Sequence, residues 1–400
     1  MPVRPTMSYN EAPPPPRSPT GVHRRIATIS RLVIGAFVVS LLVFPPSAHA
    51  ATVVVPTTIP ADCSRDVTAD LNSLFTTLPA GTVLKFAAAG CYRVDGTLLV
   101  QERTNLVFDG QGASFKAFTD GTELPQPRNR AHWKLLYSNR ITLKHMTIVG
   151  ANLSGVYDPD LEAQHGVALN GALQTTIIDV KVRQVFGDCV TITRGTLGPT
   201  IARGTDNVTI RKLNCLVAGR QGVAITWGTN VTVQLSTLTD IERTVFDLEP
   251  TYSGWVVDNI LIEDNVINSH GNYALGSGGA GCNVSNVTFR GNRIAAPGNI
   301  KVGTAPAAGC RKHDFIVEGN IATLGVGEQR FSAWDNLDDV LVNDNTVTIP
   351  SGSQDDRIGV DFENARGILT VTNNEFCGAT DAVVASGSGR VTEANNNILC

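Results

Sequence analysis

The sequence predicts an all-β fold, a parallel β-helix: a single-stranded solenoid of about 10–11 coils with a short capping helix in front. Three observations predict it. The composition is rich in Gly, Asn, Thr and Val with only 17% charged residues, which suits many short strands joined by tight turns. An alternating strand phrase recurs with a period in the twenties. Eight cysteines fall into successive pairs, each about one period apart.

The first fifty residues stand apart from that pattern. Pro13 to Pro16 mark a disordered leader, His23-Arg24-Arg25 and Arg31 a basic flank, Leu32 to Phe44 an apolar stretch, and Ala48-His49-Ala50 a small-residue cleavage site, the layout of a signal peptide. Thirteen apolar residues are short against the roughly 20 that span a bilayer, so cleavage after Ala50 and a secreted chain without a stable membrane span are expected. Residues 1–50 carry five basic residues and Glu11 of the chain's 32 basic and 36 acidic ones. The mature chain therefore holds 27 and 35, a net charge of −8 that argues against a nucleic-acid partner.

Residues 51–400 read as one domain, with a cap and first coils over 51–104 and the regular solenoid over 105–400. In 62–78 the positions Val67, Leu71, Leu74, Phe75 and Leu78 have helical spacing, with Ser64 or Asp66 available as N-cap. Such a helix would cover the open apolar end of the solenoid. Strands follow at Gly81 to Phe86 and Tyr92 to Val100. The repeat then starts at 207, 230, 259, 286, 313 and 339, intervals of 23, 29, 27, 27 and 26 residues. A second Asn in each unit (Asn214, Asn265, Asn292, Asn320, Asn345, Asn374) is expected to form a structural ladder and to tolerate the left-handed turn conformation.

Taken in order, the cysteines are separated by 28, 26, 28 and 23 residues. Residues one coil apart lie near 5 Å, within disulfide reach. The expected bonds are Cys63 with Cys91, Cys189 with Cys215, Cys282 with Cys310, and Cys377 with Cys400.

Three phrases suggest a site: Gln164-His165-Gly166-Val167-Ala168-Leu169, Gly187-Asp188-Cys189-Val190-Thr191-Ile192, and Arg220-Gln221-Gly222-Val223-Ala224-Ile225. As one strand seen in three successive coils, they stack His165, Asp188 and Gln221 about 4.8 Å apart. In this block the chain resembles the pectin-lyase-like right-handed β-helix superfamily, and within it the polygalacturonase-related branch (glycoside hydrolase family 28-like). That branch carries Gly-Asp-Asp-Cys-Val-Ala-Ile and Cys-x-Gly-Gly-His-Gly-x-Ser-Ile in successive coils, with the two cysteines bonded. The resemblance implies a right-handed helix, a polysaccharide substrate in an outer groove, and Asp188 as the surviving member of the Asp pair. Gly187 stands where the other Asp would be and Gln221 where the His would be, so the catalytic motif is degenerate.

Strand parity supplies the rest. Phe246 and Leu248 point inward, so Asp247 and Glu249 face out; Lys301 faces out between Ile300 and Val302. The expected catalytic residues are His165, Asp188, Arg220 and Asp247, with Gln221, Glu249, Lys301 and Trp133 binding substrate; Tyr157, Trp227 and Trp255 are further candidates for stacking on sugar rings. Hydrolysis would pair Asp188 with Asp247. Lyase or epimerase chemistry would use His165 as base, with Arg220 or Lys301 neutralising a uronate. Ca²⁺ at Asp188, Asp247 and Glu249 is a further option, and Asp361 with Glu363 reads as a solvated acidic face. His165→Ala and Asp188→Asn are expected to abolish turnover with little loss of stability. A non-catalytic glycan-binding or adhesin-like β-helix is the alternative.

Overall fold

Each coil runs through three short strands, and successive coils stack in parallel. The computed structural model describes residues 51–400 apart from 124–129, 199, 279–282, 296–297, 304–311 and 351–355, together with the backbone alone of 269 and 270. The first face is carried by Trp133–Leu136, Val167–Asn170, Val190–Thr193, Val223–Ile225, Phe246–Leu248, Leu275–Ser277, Ile300–Val302, Arg330–Asp335 and the start of Ile358–Thr372. Its register runs Val167, Val190, Val223, Phe246, Leu275 and Ile300. The second face includes Thr205–Arg211, Gly228–Gln234, Val256–Glu263 and Asn283–Arg290. The third includes Asn214–Ala218, Thr237–Ile241 and Val266–His270.

Period-two alternation builds the interior, because every second side chain of a strand points the same way. On the second face Val208, Val231, Ile260, Val287 and Phe315 stack in register, all essentially inaccessible to solvent. Burying each such side chain is worth about 1.5–3 kcal/mol. Like stacked on like lets the column continue through insertions elsewhere in the coil.

The corners differ from the sequence expectation in an instructive way. Left-handed φ falls on the first Asn of the repeat (Asn207, Asn230, Asn259, Asn286) and on the residue before the ladder position (Lys212, Leu235, Asp264, Gly291). The ladder asparagines themselves keep negative φ. Their amides are spent along the axis: Asn265 donates through both its backbone N–H and Nδ2 to Oδ1 of Asn292, each 3.0 Å. The same pattern continues through Asn320, Asn345, Asn374 and Asn396. Asn214 is not a rung. It is exposed and lies beside Thr237, while Ser236 begins the ladder on Asn265.

The helix occupies Thr68–Thr77, with Val67 as N-cap, and starts later than the apolar spacing suggested because Asp62–Asp66 is a strand paired with the Cys91 coil. Asp66 still accepts the Thr68 amide at 3.0 Å. Asn72 imitates a missing strand: its Nδ2 donates to the Thr97 carbonyl and its Oδ1 accepts the Leu99 amide, both at 2.8 Å, which covers part of the sheet edge. Thr52–Val54, not expected from the sequence, pairs with Val83–Lys85. Trp133 is the centre of the N-terminal core, with Phe75 stacked on it at 5.6 Å and Phe108 and Phe115 edge-on at 5.4 and 5.2 Å. It is fully buried, and so cannot bind substrate.

Three of the expected disulfides are present, Cys63–Cys91, Cys189–Cys215 and Cys377–Cys400, with Cα separations of 5.0, 5.9 and 5.0 Å. Cys282 and Cys310 lie outside the described residues, as does the signal-peptide segment. No helix among the described residues is long and apolar enough to cross a membrane.

Candidate functional site

The stacked column of His165, Asp188 and Gln221 forms as the register requires, at the start of the first-face strands. Asp188 is completely buried. Arg220 donates through Nη1 to its two oxygens at 3.2 and 3.3 Å, and the Gln221 amide donates at 3.3 Å. His165 Nδ1 lies 3.1 Å from both Asp188 Oδ2 and the Asp188 amide nitrogen; the protonated ring donates to the first, the unprotonated nitrogen accepts from the second. Burial alone would raise the Asp188 pKa, but His165 and Arg220 outweigh it and hold the carboxylate ionised.

Arg220 is the hub between this buried group and the surface. It also reaches Glu162 at 3.5 Å and Glu249 at 3.8 Å. Burial works against its charge, yet Asp188, Glu162, Asp247 and Glu249 together raise its pKa. Tyr157 donates to Glu162 at 2.7 Å, and Arg243 lies over the Tyr157 ring at 4.9 Å.

Gln221 joins the two carboxylates expected to work together. Its amide holds Asp188, while its Nε2 donates to Asp247 Oδ2. Its Oε1 is buried without a hydrogen-bond partner, an acceptor left for a donor entering the groove. Glu249 lies two residues further along the chain, and both carboxyls line the groove. Burial, then the neighbouring Glu249, push Asp247 up to about 8, against the pull of Arg220. One proton shared between adjacent carboxylates is the expected result when both cannot ionise.

Asp247 and Glu249 open onto a cavity of about 630 Å³. Its lining continues over Tyr273, Lys301, Arg330 and Asp335 to Asp361 and Glu363. Asp361 and Glu363 therefore belong to this groove and are not a detached solvated face; Arg330 pairs with Asp361 at 2.8 Å. In strand register, Asp247, Gly276, Lys301, Ala333 and Asp361 form one outward row, so its two acidic ends lie about 19 Å apart. Between them the floor is Gly276, Gly278, Gly303 and Ala333. A Cβ at Gly278 would meet nothing within 4 Å, and one at Gly303 only the Asp335 Cβ at 3.5 Å. Neither packing nor a left-handed φ demands glycine at these two positions, and its effect is to leave the floor bare.

His165 and Asp188 do not line this cavity; they lie behind it and position Arg220 and Gln221. The calcium set does not assemble, because Asp188 is taken up by Arg220 and His165; among the described residues no three His, Cys, Asp or Glu side chains are disposed to hold a metal ion. Trp227 and Trp255 stack on each other at 5.7 Å, with Tyr252 edge-on to Trp255 at 4.9 Å. Gly187 has no room for the Asp of the related motif: a Cβ would lie 2.4 Å from the Glu162 carbonyl oxygen. Sequence reasoning missed Glu162, Arg243, Tyr273, Arg330 and Asp335. For Asp335 and Glu363 an outward-parity signal exists in the strand pattern; Arg243 and Tyr273 lie where the chain enters a strand and carry none.

No family model matches the sequence, and no curated protein matches it. Solved structures do match in fold. A hyperthermoactive exopolygalacturonase from Thermotoga maritima aligns with a TM-score of 0.65 at 12% identity, over 87% of this chain and 91% of that one. The A-module of mannuronan C-5 epimerase AlgE4 from Azotobacter vinelandii aligns with a TM-score of 0.61 at 13% identity, over 85% and 93%. A tailspike protein of E. coli bacteriophage HK620 aligns with a TM-score of 0.60 at 14% identity, over 87% of this chain and 66% of the tailspike, just under two thirds of its length. The chain thus has the right-handed parallel β-helix fold that these structures share.

Proposed function

We propose that this chain is a secreted glycan-active enzyme that binds a saccharide chain along the groove from Asp247 to Glu363 and cleaves it hydrolytically. The observation that carries the reading is the Asp247–Glu249 pair, two carboxyls two residues apart at the head of an open cavity, one of them buried. Asp247 gives its proton to the glycosidic oxygen as the C–O bond breaks. Glu249 takes a proton from the water that adds to the anomeric carbon. The fold neighbours include an enzyme named for polygalacturonate and one for mannuronan, and a tailspike mutant in complex with a pentasaccharide, which supports a glycan in the groove. Disulfides support an oxidising compartment.

Eliminative or epimerising chemistry on a uronate is the second reading, favoured by Lys301 and Arg243, which line the groove with no carboxylate partner among the described residues. Incubation with a panel of uronate and neutral polysaccharides separates the two. New reducing ends without the ultraviolet absorbance of unsaturated uronates support hydrolysis; the absorbance supports elimination. Tight binding without product from any substrate would sink both in favour of a binding protein.

A further inference from the structure

Lys312 opens the strand Lys312–Glu318 on the second face, and its side chain is turned into the solenoid. It is among the largest fully buried side chains, with 1% relative exposure. Among the described residues no carboxylate pairs with it. Its Nζ donates instead to the Ser277 carbonyl at 2.8 Å, Ser277 Oγ at 2.7 Å, the Gly303 carbonyl at 3.1 Å and the Gly278 carbonyl at 3.2 Å. Three of these acceptors are backbone oxygens of the bare groove floor. Ser277 occupies an inward position between Leu248 and Val302, where the neighbouring coils place apolar residues, and its hydroxyl donates to the Leu248 carbonyl at 2.6 Å. A buried lysine costs several kcal/mol unless its charge is compensated, and an apolar residue would fill this position without that cost. Packing therefore does not account for a lysine under the one stretch of floor that lacks side chains.

We propose that Lys312 is a positioning residue of the groove: its caged Nζ ties the floor carbonyls of two coils together and, through the Ser277 hydroxyl on the Leu248 carbonyl, braces the strand that carries the Asp247–Glu249 pair. The inference rests on that pair being the reactive one. Asp247 and Glu249 are the carboxylates that act on the Lys312 charge; burial pulls its pKa down to about 7, and these two pull the other way. By reciprocity the ammonium favours the ionised form of the pair. The charged groups facing Lys312 are these two carboxylates; the remaining contacts of its Nζ are the neutral acceptors named above.

Two variants test this, Lys312→Met, which keeps the length, and Lys312→Gln, which keeps an N–H donor without the charge. Carboxyl ¹³C chemical shifts of Asp247 are followed against pH in the full chain. In both variants the Asp247 midpoint should rise by about 0.3 pH unit, a small shift because Lys312 has itself lost most of its proton where Asp247 titrates; Lys312→Gln should also retain slow exchange of the floor amides, which Lys312→Met should lose. A midpoint unchanged in variants that fold would overturn the proposal and leave Lys312 a structural residue. Should neither variant fold, the Lys312 side-chain shift is titrated in the wild type and in Asp247→Asn: a lower Lys312 midpoint in Asp247→Asn supports the coupling, and an unchanged one overturns it. None of these readouts needs turnover, so a failed activity assay and a failed Lys312 proposal are separate results.

Discussion

The coils around Asp188 and the coils around Gly278 share one face and one strand spacing, yet the first is filled with side chains and the second is bare. Around Asp188, every charge is answered: the carboxylate meets Arg220 and His165, and Arg220 meets Glu162 and Glu249. Around Gly278, among the described residues, the floor is glycine and alanine on either side of Lys301, with carboxylates at both ends. The polar column that stands out in the sequence is buried and paired within itself, and the open cavity lies beyond it. Asp247 sits at the junction, held by Gln221 from the column and open to the groove.

The largest difference should appear on replacing the carboxyls of the two regions in turn. Asp247→Asn keeps the shape and removes the transferable proton, so turnover should fall by about 10²–10⁴-fold, with the fold retained. Steady-state rates on whichever polysaccharide the wild type cleaves check this. A variant within threefold of wild type would remove Asp247 from the mechanism.

Asp188→Asn acts on the column. Removing one partner of a buried, hydrogen-bonded ion group costs about 3–5 kcal/mol, because Arg220 and His165 are left facing a neutral amide. The expected outcome is a lowered urea midpoint, with turnover per folded molecule falling only as far as Arg220 and Gln221 lose their positions. The sequence-level expectation was the reverse, lost activity with little loss of stability. An unchanged urea midpoint would show that the column is dispensable.

Leucine at Gly278 or Gly303 tests the bare floor. Because added atoms meet open space, the urea midpoint should shift by about 0.5 kcal/mol or less, whereas glycan affinity should drop at least about tenfold through lost room in the groove, about 1.4 kcal/mol. Isothermal titration with a cleavable oligosaccharide on Asp247→Asn as background reads the binding directly. Undiminished affinity would place the saccharide elsewhere.

Much of this architecture is legible in the sequence because a solenoid repeats its local chemistry. The Asn-x-Thr phrases mark the strand starts, the cysteine intervals match one coil, and the parity of Val245 to Glu249 correctly turns Asp247 and Glu249 outward. What the sequence does not carry is depth. Asp188 and Asp247 look equivalent as letters, but one lies under Arg220 and the other at a rim, and that depends on how far the segment from Asn152 to Glu162 folds over the coil. Trp133 was misplaced for the same reason: its position is inward, and only the neighbouring rings of Phe75, Phe108 and Phe115 reveal how completely it is enclosed. Absent side chains are harder still, since Gly278 and Gly303 read as turn residues until the acidic rows on either side of them are in place.

The smallest expected effect is a pH dependence that separates the two carboxyls by sign. Asp247 is raised from its ordinary 3.8 to about 8 in the folded chain, so between these values the folded state holds a proton that the unfolded state has released. Its contribution to stability is fully present below pH 4 and is lost as the pH rises through 8. Asp188 is lowered, so its contribution is present above the ordinary carboxylate range and is lost as the pH falls through its folded value. Urea midpoints measured across the pH range should therefore decline on both flanks. Asp247→Asn should flatten the decline between about pH 4 and 8 and leave the acid flank in place, while Asp188→Asn should flatten the acid flank alone. The effect is modest because Asp247 shares its proton with Glu249, which takes up part of the titration. A decline above pH 5 that persists unchanged in Asp247→Asn would mean that Asp247 is ionised in the native protein and has no proton to give.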